Sequence, residues 1–100
     1  MPAYSSYVIP TTTPVPDDVF DLLMPQLTGA ELKVLLYLCR RTFGFQQDAA
    51  HISRNHLMRG TGLSRESVTL AAHDLEAHGV IVSSQEQGSE PKTYALNFLA

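Results

Sequence analysis

Ser53-Arg54-Asn55-His56-Leu57-Met58-Arg59-Gly60-Thr61-Gly62-Leu63-Ser64-Arg65-Glu66-Ser67-Val68-Thr69-Leu70-Ala71-Ala72-His73-Asp74-Leu75-Glu76-Ala77-His78-Gly79 is the stretch from which the fold can be read. Ser53 is a helix N-cap residue type, and a short helix from about Arg54 to Arg59 would turn Leu57 and Met58 inward. Gly60-Thr61-Gly62 reads as a tight turn and Leu63 as an apolar anchor. Ser64 then caps a second helix, from Arg65 to about His78, on which Val68, Ala71, Ala72 and Leu75 share one face. Gly79 stops it. Two helices joined by a glycine corner stand at a steep angle, the helix-turn-helix arrangement.

Downstream, Val80-Ile81-Val82 is a β-branched run bounded by glycine and serines, and Thr93 to Phe98 roughly alternates. Both read as strands, with the polar loop Ser83 to Pro91 between them. Upstream, Thr28-Gly29-Ala30-Glu31 is a capping box opening a helix whose apolar stripe is Leu32, Leu35, Leu36 and Cys39, widened by Val34 and Leu38. Arg40 and Arg41 suit its last turn, and Gly44 is the expected stop. Residues 45–52 read as a loop closing with a very short strand. Before that helix, a short one is expected to start at Pro16, favoured by Asp17, Asp18 and Asp21, and to stop at Pro25. Residues 1–15 form an extended arm in this reading, with Tyr4, Tyr7, Val8 and Ile9 available to pack on the domain or on a second copy. The expected fold is mainly α with a small β-hairpin. It is a winged helix-turn-helix over residues 16–100, with a three-helix core plus the arm and short helix.

One hundred residues, 44% apolar and 17% charged, suit one core. Cys39 is alone and set in an apolar helical run, which fits a buried thiol in a reducing cytoplasm. Residues 1–20 hold neither Lys nor Arg, so no signal peptide is expected, and no apolar run approaches the ~18 residues of a membrane span. The net charge of −3 argues against nucleic acid, but its distribution argues for it. Residues 1–31 carry −4, and residues 66–100 carry −4. Between them, residues 33–65 carry +5 through Lys33, Arg40, Arg41, Arg54, Arg59 and Arg65 against Asp48.

A second helix of this length spans about 20 Å and fits the major groove, about 12 Å wide, with its first turns at the base edges. Its face opposite the core offers Glu66, Ser67, Leu70, His73, Asp74 and Ala77, with Arg65 and Thr69 at the margins. Arg65 suits a guanine edge or a phosphate, and Arg54 and Arg59 flank the helix that crosses the DNA backbone. Ser53 and Ser64 are caps whose helix ends offer amides to an anion. Ser67 and Thr69 are candidate donors, and Leu70 either meets a thymine methyl or covers part of the core. Lys92 at the wing base suits a phosphate, and Gln85, Gln87 and Ser89 occupy the tip. Each also has a plainer reading as a cap or a solvated surface group.

No enzyme chemistry is expected, and no cofactor. His51, His56, His73 and His78 are unaccompanied by a second cysteine or an HExxH pattern. His73 and His78 point about 140° apart on a helix, so no metal site is expected.

The run Leu27 to Leu38, then Arg40-Arg41-Thr42-Phe43-Gly44-Phe45, resembles the N-terminal domain of bacteriophage replication protein O. So do Ile52-Ser53, Leu57, Thr61 to Val68, Leu75-Glu76 and His78 to Ile81, and Val15-Pro16-Asp17 looks like the family's lead-in. The resemblance covers about residues 15–82, with Thr42-Phe43-Gly44-Phe45 its most particular part. It implies a domain that binds double-stranded DNA repeats in a replication origin. It further implies a separate C-terminal region that recruits the replicative helicase or its loader. That region is absent here, so an excised domain or a short relative is expected. The chain departs from the pattern at Gln46-Gln47, where lysines are common, and at Leu70, often basic. Ser64 to His78 carries a net −2, so weak binding by one copy is expected, with a homodimer on repeated half-sites or the rest of the protein supplying more. Two alternatives stay open: a transcription regulator, and a protein-interaction winged helix in primosome assembly.

Overall fold

The computed structural model describes residues 11–85 and 91–97. The expectations for residues 1–10, for Gln87 and Ser89 of the tip, and for Phe98 lie outside them. Three helices, α1 (Gly29–Arg41), α2 (Arg54–Thr61) and α3 (Arg65–Ala77), carry a sheet of β1 (Ala49–Ile52), β2 (Ile81–Ser84) and β3 (Lys92–Leu96). A helical segment, Val19–Leu23 wound as π-helix and Met24–Gln26 as 3₁₀, precedes them. The fold is mainly helical with a small three-stranded antiparallel sheet. Among the described residues no helix is long and apolar enough to cross a membrane.

The caps fall where short-range chemistry dictates. Thr28 Oγ1 accepts from the Glu31 amide at 3.1 Å while Glu31 Oε1 accepts from the Thr28 amide at 2.9 Å. Ser53 and Ser64 accept from the amides of His56 and Ser67. At the end of α3, Gly79 at φ 76° lets its own amide donate to the Glu76 carbonyl and the Val80 amide donate to Leu75. Asn97 then clamps this corner, its amide donating to the Val80 carbonyl and its side chain to the Gly79 carbonyl at 2.8 Å.

Several boundaries differ from those expected. Pro25 does not stop the N-terminal segment. It sits early in the 3₁₀ turn, where its missing N–H leaves no bond unmade. Helix α1 stops at Thr42, whose hydroxyl donates to the Leu38 carbonyl, and Gln46 takes the left-handed backbone expected of Gly44. Gly44 instead provides close approach, since a Cβ there would stand 2.9 Å from Arg40 Nη1 and 3.1 Å from Thr13 Oγ1. Helix α2 runs through Gly60 to Thr61 and ends at Gly62, φ 75°. Gly60 is therefore no turn residue; it admits the Tyr37 ring of α1 against the α2 backbone. Ser83 and Ser84 are strand and not loop, while Val80 belongs to the corner.

The expected hairpin is part of a larger sheet of order β1-β3-β2. The short strand before Ser53 pairs with β3, in a register that sets Ile52 opposite Lys92 and His51 opposite Thr93. Thr93 Oγ1 lies 2.9 Å from His51 Nδ1 across that pair. The core joins Val34, Leu35 and Leu38 of α1, Leu57 of α2, Val68, Ala71 and Leu75 of α3, and Ile52, Ile81 and Tyr94 of the strands. Val19 seals one side, and Val15 of the arm packs against it. Leu32 and Leu36, expected inside, are only half-buried; the buried stripe runs from Glu31 through Val34, Leu35, Leu38 and Cys39 to Thr42. Burial pushes the Cys39 thiol up to about 11, so it stays protonated and unreactive at neutral pH.

The Gly60 contact generates a paired prediction. Gly60→Ala should destabilise the fold by about 1–3 kcal/mol, because its methyl overlaps the Tyr37 ring. Gly29→Ala, with open space around its Cβ, should be neutral or stabilise by up to about 1 kcal/mol. Urea unfolding of the two variants measures both. Equal effects would mean that the α1–α2 contact is not set at Gly60.

Candidate nucleic-acid interface

Helix α3 is fixed by the inward face of Val68, Ala71 and Leu75, each 3% exposed or less. The 3.6-residue repeat then sends Glu66, Leu70 and Ala77 outward, with Thr69 and His73 beside them. Leu70 is 62% exposed and so covers no core. Arg65 and Thr69, expected at the margins of this face, are exposed, while Ser67 and Asp74, expected on it, are half-buried.

Two adjoining depressions run over this face. One, of about 590 Å³, is lined by Arg54, Arg65, Glu66, Thr69, Leu70 and His73. The other, of about 450 Å³, lies between α3 and the sheet and has Arg54, Thr69, His73, Glu76, Lys92 and Tyr94 among its walls. Of the residues named from sequence, Arg54, Arg65, Thr69, Leu70, His73 and Lys92 thus share one continuous surface. Lys92 arrives there through its register with Ile52, the residue before the α2 cap. Ser53, Arg59, Ser64 and Ser67 do not line it. Glu76 and Tyr94, which sequence reasoning passed over, do. Glu76 also accepts a 2.6 Å hydrogen bond from Ser83 of β2, tying the far end of α3 to the sheet.

Local bonding narrows what each hydroxyl offers. Ser64 Oγ accepts from the Ser67 amide and donates to Ser67 Oγ at 3.0 Å. Thr69 donates back to the Arg65 carbonyl at 2.8 Å. None of these protons is directed at a ligand. The cationic groups on the surface are Arg54, Arg65 and Lys92, set beside the carboxylates of Glu66 and Glu76. Two further arginines of the basic block are engaged elsewhere: Arg40 stacks 4.7 Å from the Phe45 ring centroid, and Arg41 donates to Tyr37 Oη at 2.8 Å. Among the described residues no three His, Cys, Asp or Glu side chains converge as metal ligands.

The family model for bacteriophage replication protein O matches residues 12–96, nearly the whole described length. The chain belongs to that family. This replication protein O domain accordingly has a role in phage replication. No curated protein matches the chain.

Ser64 is a cap in this geometry, which yields a test separate from any ligand. Ser64→Ala should lower stability by about 1 kcal/mol and Ser64→Asp should largely preserve it, since a carboxylate also accepts from the Ser67 amide. Thermal unfolding reads the difference; equal loss in both variants would remove the capping role.

Proposed function

We propose that this domain is a winged helix-turn-helix that binds double-stranded DNA at specific sequences, serving origin recognition in phage replication as a binding module and not as an enzyme. The element order and the β1-β3-β2 sheet support the winged-helix reading, with α3 as recognition helix and the β2–β3 connection as wing. One observation carries the proposal. The first turns of α3 face outward beside Arg54, Arg65 and Lys92, cations from three separate elements sharing one surface. Cations so placed meet phosphates on either side of a helix lying in the groove. A helicase or its loader is the partner proposed for a separate region of the protein, in the cytoplasm of the infected cell.

A second reading, a winged helix that docks on a protein in primosome assembly, draws on the exposed Leu70 and on the carboxylates of α3. Burying such a leucine stabilises a complex by roughly 1.5–3 kcal/mol whatever the partner. Salt separates the two readings. Affinity for duplex DNA should fall linearly in log–log form with a slope of about −0.9 per phosphate contacted. Arg65→Ala should cost about 1–3 kcal/mol on a selected site, and Lys92→Ala should weaken all sequences alike and reduce the slope by about 1. Absence of duplex binding at ~100 µM protein and low salt, the weak end of non-specific affinity, would transfer the proposal to the protein-docking reading.

A further inference from the structure

Resting on the duplex-DNA reading, we propose that Leu70 determines specificity by packing on the 5-methyl group of a thymine in the major groove. The recognised site then holds a T·A pair opposite the second turn of α3. Leu70 is 62% exposed, six residues into the helix, and follows Glu66 by one turn on the same face. It shares its depression with Arg54 and Arg65, the cations that would hold the flanking phosphates.

Its surroundings make the contact apolar. Thr69, the adjoining residue, spends its hydroxyl proton on the Arg65 carbonyl, so what it adds to this part of the surface is its methyl group. Ser64 spends its hydroxyl proton on Ser67 Oγ. At Thr69 and Leu70 the second turn of α3 therefore offers a base edge mainly carbon. In the major groove only thymine presents a methyl group, beside its O4 acceptor. Adenine, guanine and cytosine present N7, O6 or amino groups that a leucine would strip of water without replacing the lost hydrogen bond. Leu70 thus favours the base that carries a methyl group, and it does so without adding charge to a helix already rich in carboxylates.

The test selects sites for the 100-residue chain from a random duplex pool, then replaces each thymine of the selected site, singly, by deoxyuridine. That change removes one methyl group and leaves the hydrogen-bonding edge intact. One position should lose about fourfold in affinity, the factor that burial of one methyl group supplies. L70A should bind the selected site about tenfold more weakly, be indifferent to deoxyuridine at that position, and keep the wild-type salt slope. Indifference of the wild type to every deoxyuridine, a thymine preference intact in L70A, or a flattened salt slope in L70A would each overturn the assignment to Leu70 with duplex binding still standing. Failure to enrich any duplex at low salt would instead sink the DNA reading itself.

Discussion

Val68, Ala71 and Leu75 fasten α3 to the core, and that attachment decides which of its side chains are left outside. Turning the helix by one residue, about 100°, would draw Thr69 and Ala72 inward and push Leu75 toward water. Each fully buried valine or leucine contributes roughly 1.5–3 kcal/mol, so the rotation is strongly opposed. Leu70, Glu66 and His73 are outside because the alternative exposes the core. Ser64 and the Gly79 corner fix the two ends of the same helix, which leaves its rotation and its length both determined.

Charge tells a subtler story than the sequence suggests. The basic block between residues 33 and 65 is continuous along the chain but divided in space. Arg40 and Arg41 complete the last turn of α1, where cations favour the carbonyl end of the helix dipole, and their guanidinium groups lie on Phe45 and Tyr37. Arg54 and Arg65 reach the α3 surface, where a residue far along the chain, Lys92, joins them. The surface has both signs of charge, so it attracts a polyanion only where Arg54, Arg65 and Lys92 stand nearest to it.

Features governed by neighbours in sequence were legible. Thr28, Ser53 and Ser64 each cap an amide three residues on, and Gly79 ends its helix as expected. Features governed by distant residues were not. His51 and Thr93 lie 42 positions apart, so nothing local announces that the strand before Ser53 joins β3. Gly60 resembles a turn glycine until the Tyr37 ring arrives from α1. Likewise six candidate site residues meet on one surface, while Ser67 is drawn into capping and Arg59 lies apart, distinctions that depend on tertiary packing.

The bonds from Ser83 to Glu76 and from Asn97 to the Gly79–Val80 corner tie α3 to the sheet at their shared end. His51 and Thr93 join β1 to β3 in the same way, so helix and strands are cross-braced by side chains as well as by packing. On the proposed reading, groups already bonded to one another would lose less entropy when a ligand seats beside them. On the proposed duplex-DNA reading, a duplex of the wrong width would have to deform itself, and its own elasticity would become part of what is discriminated.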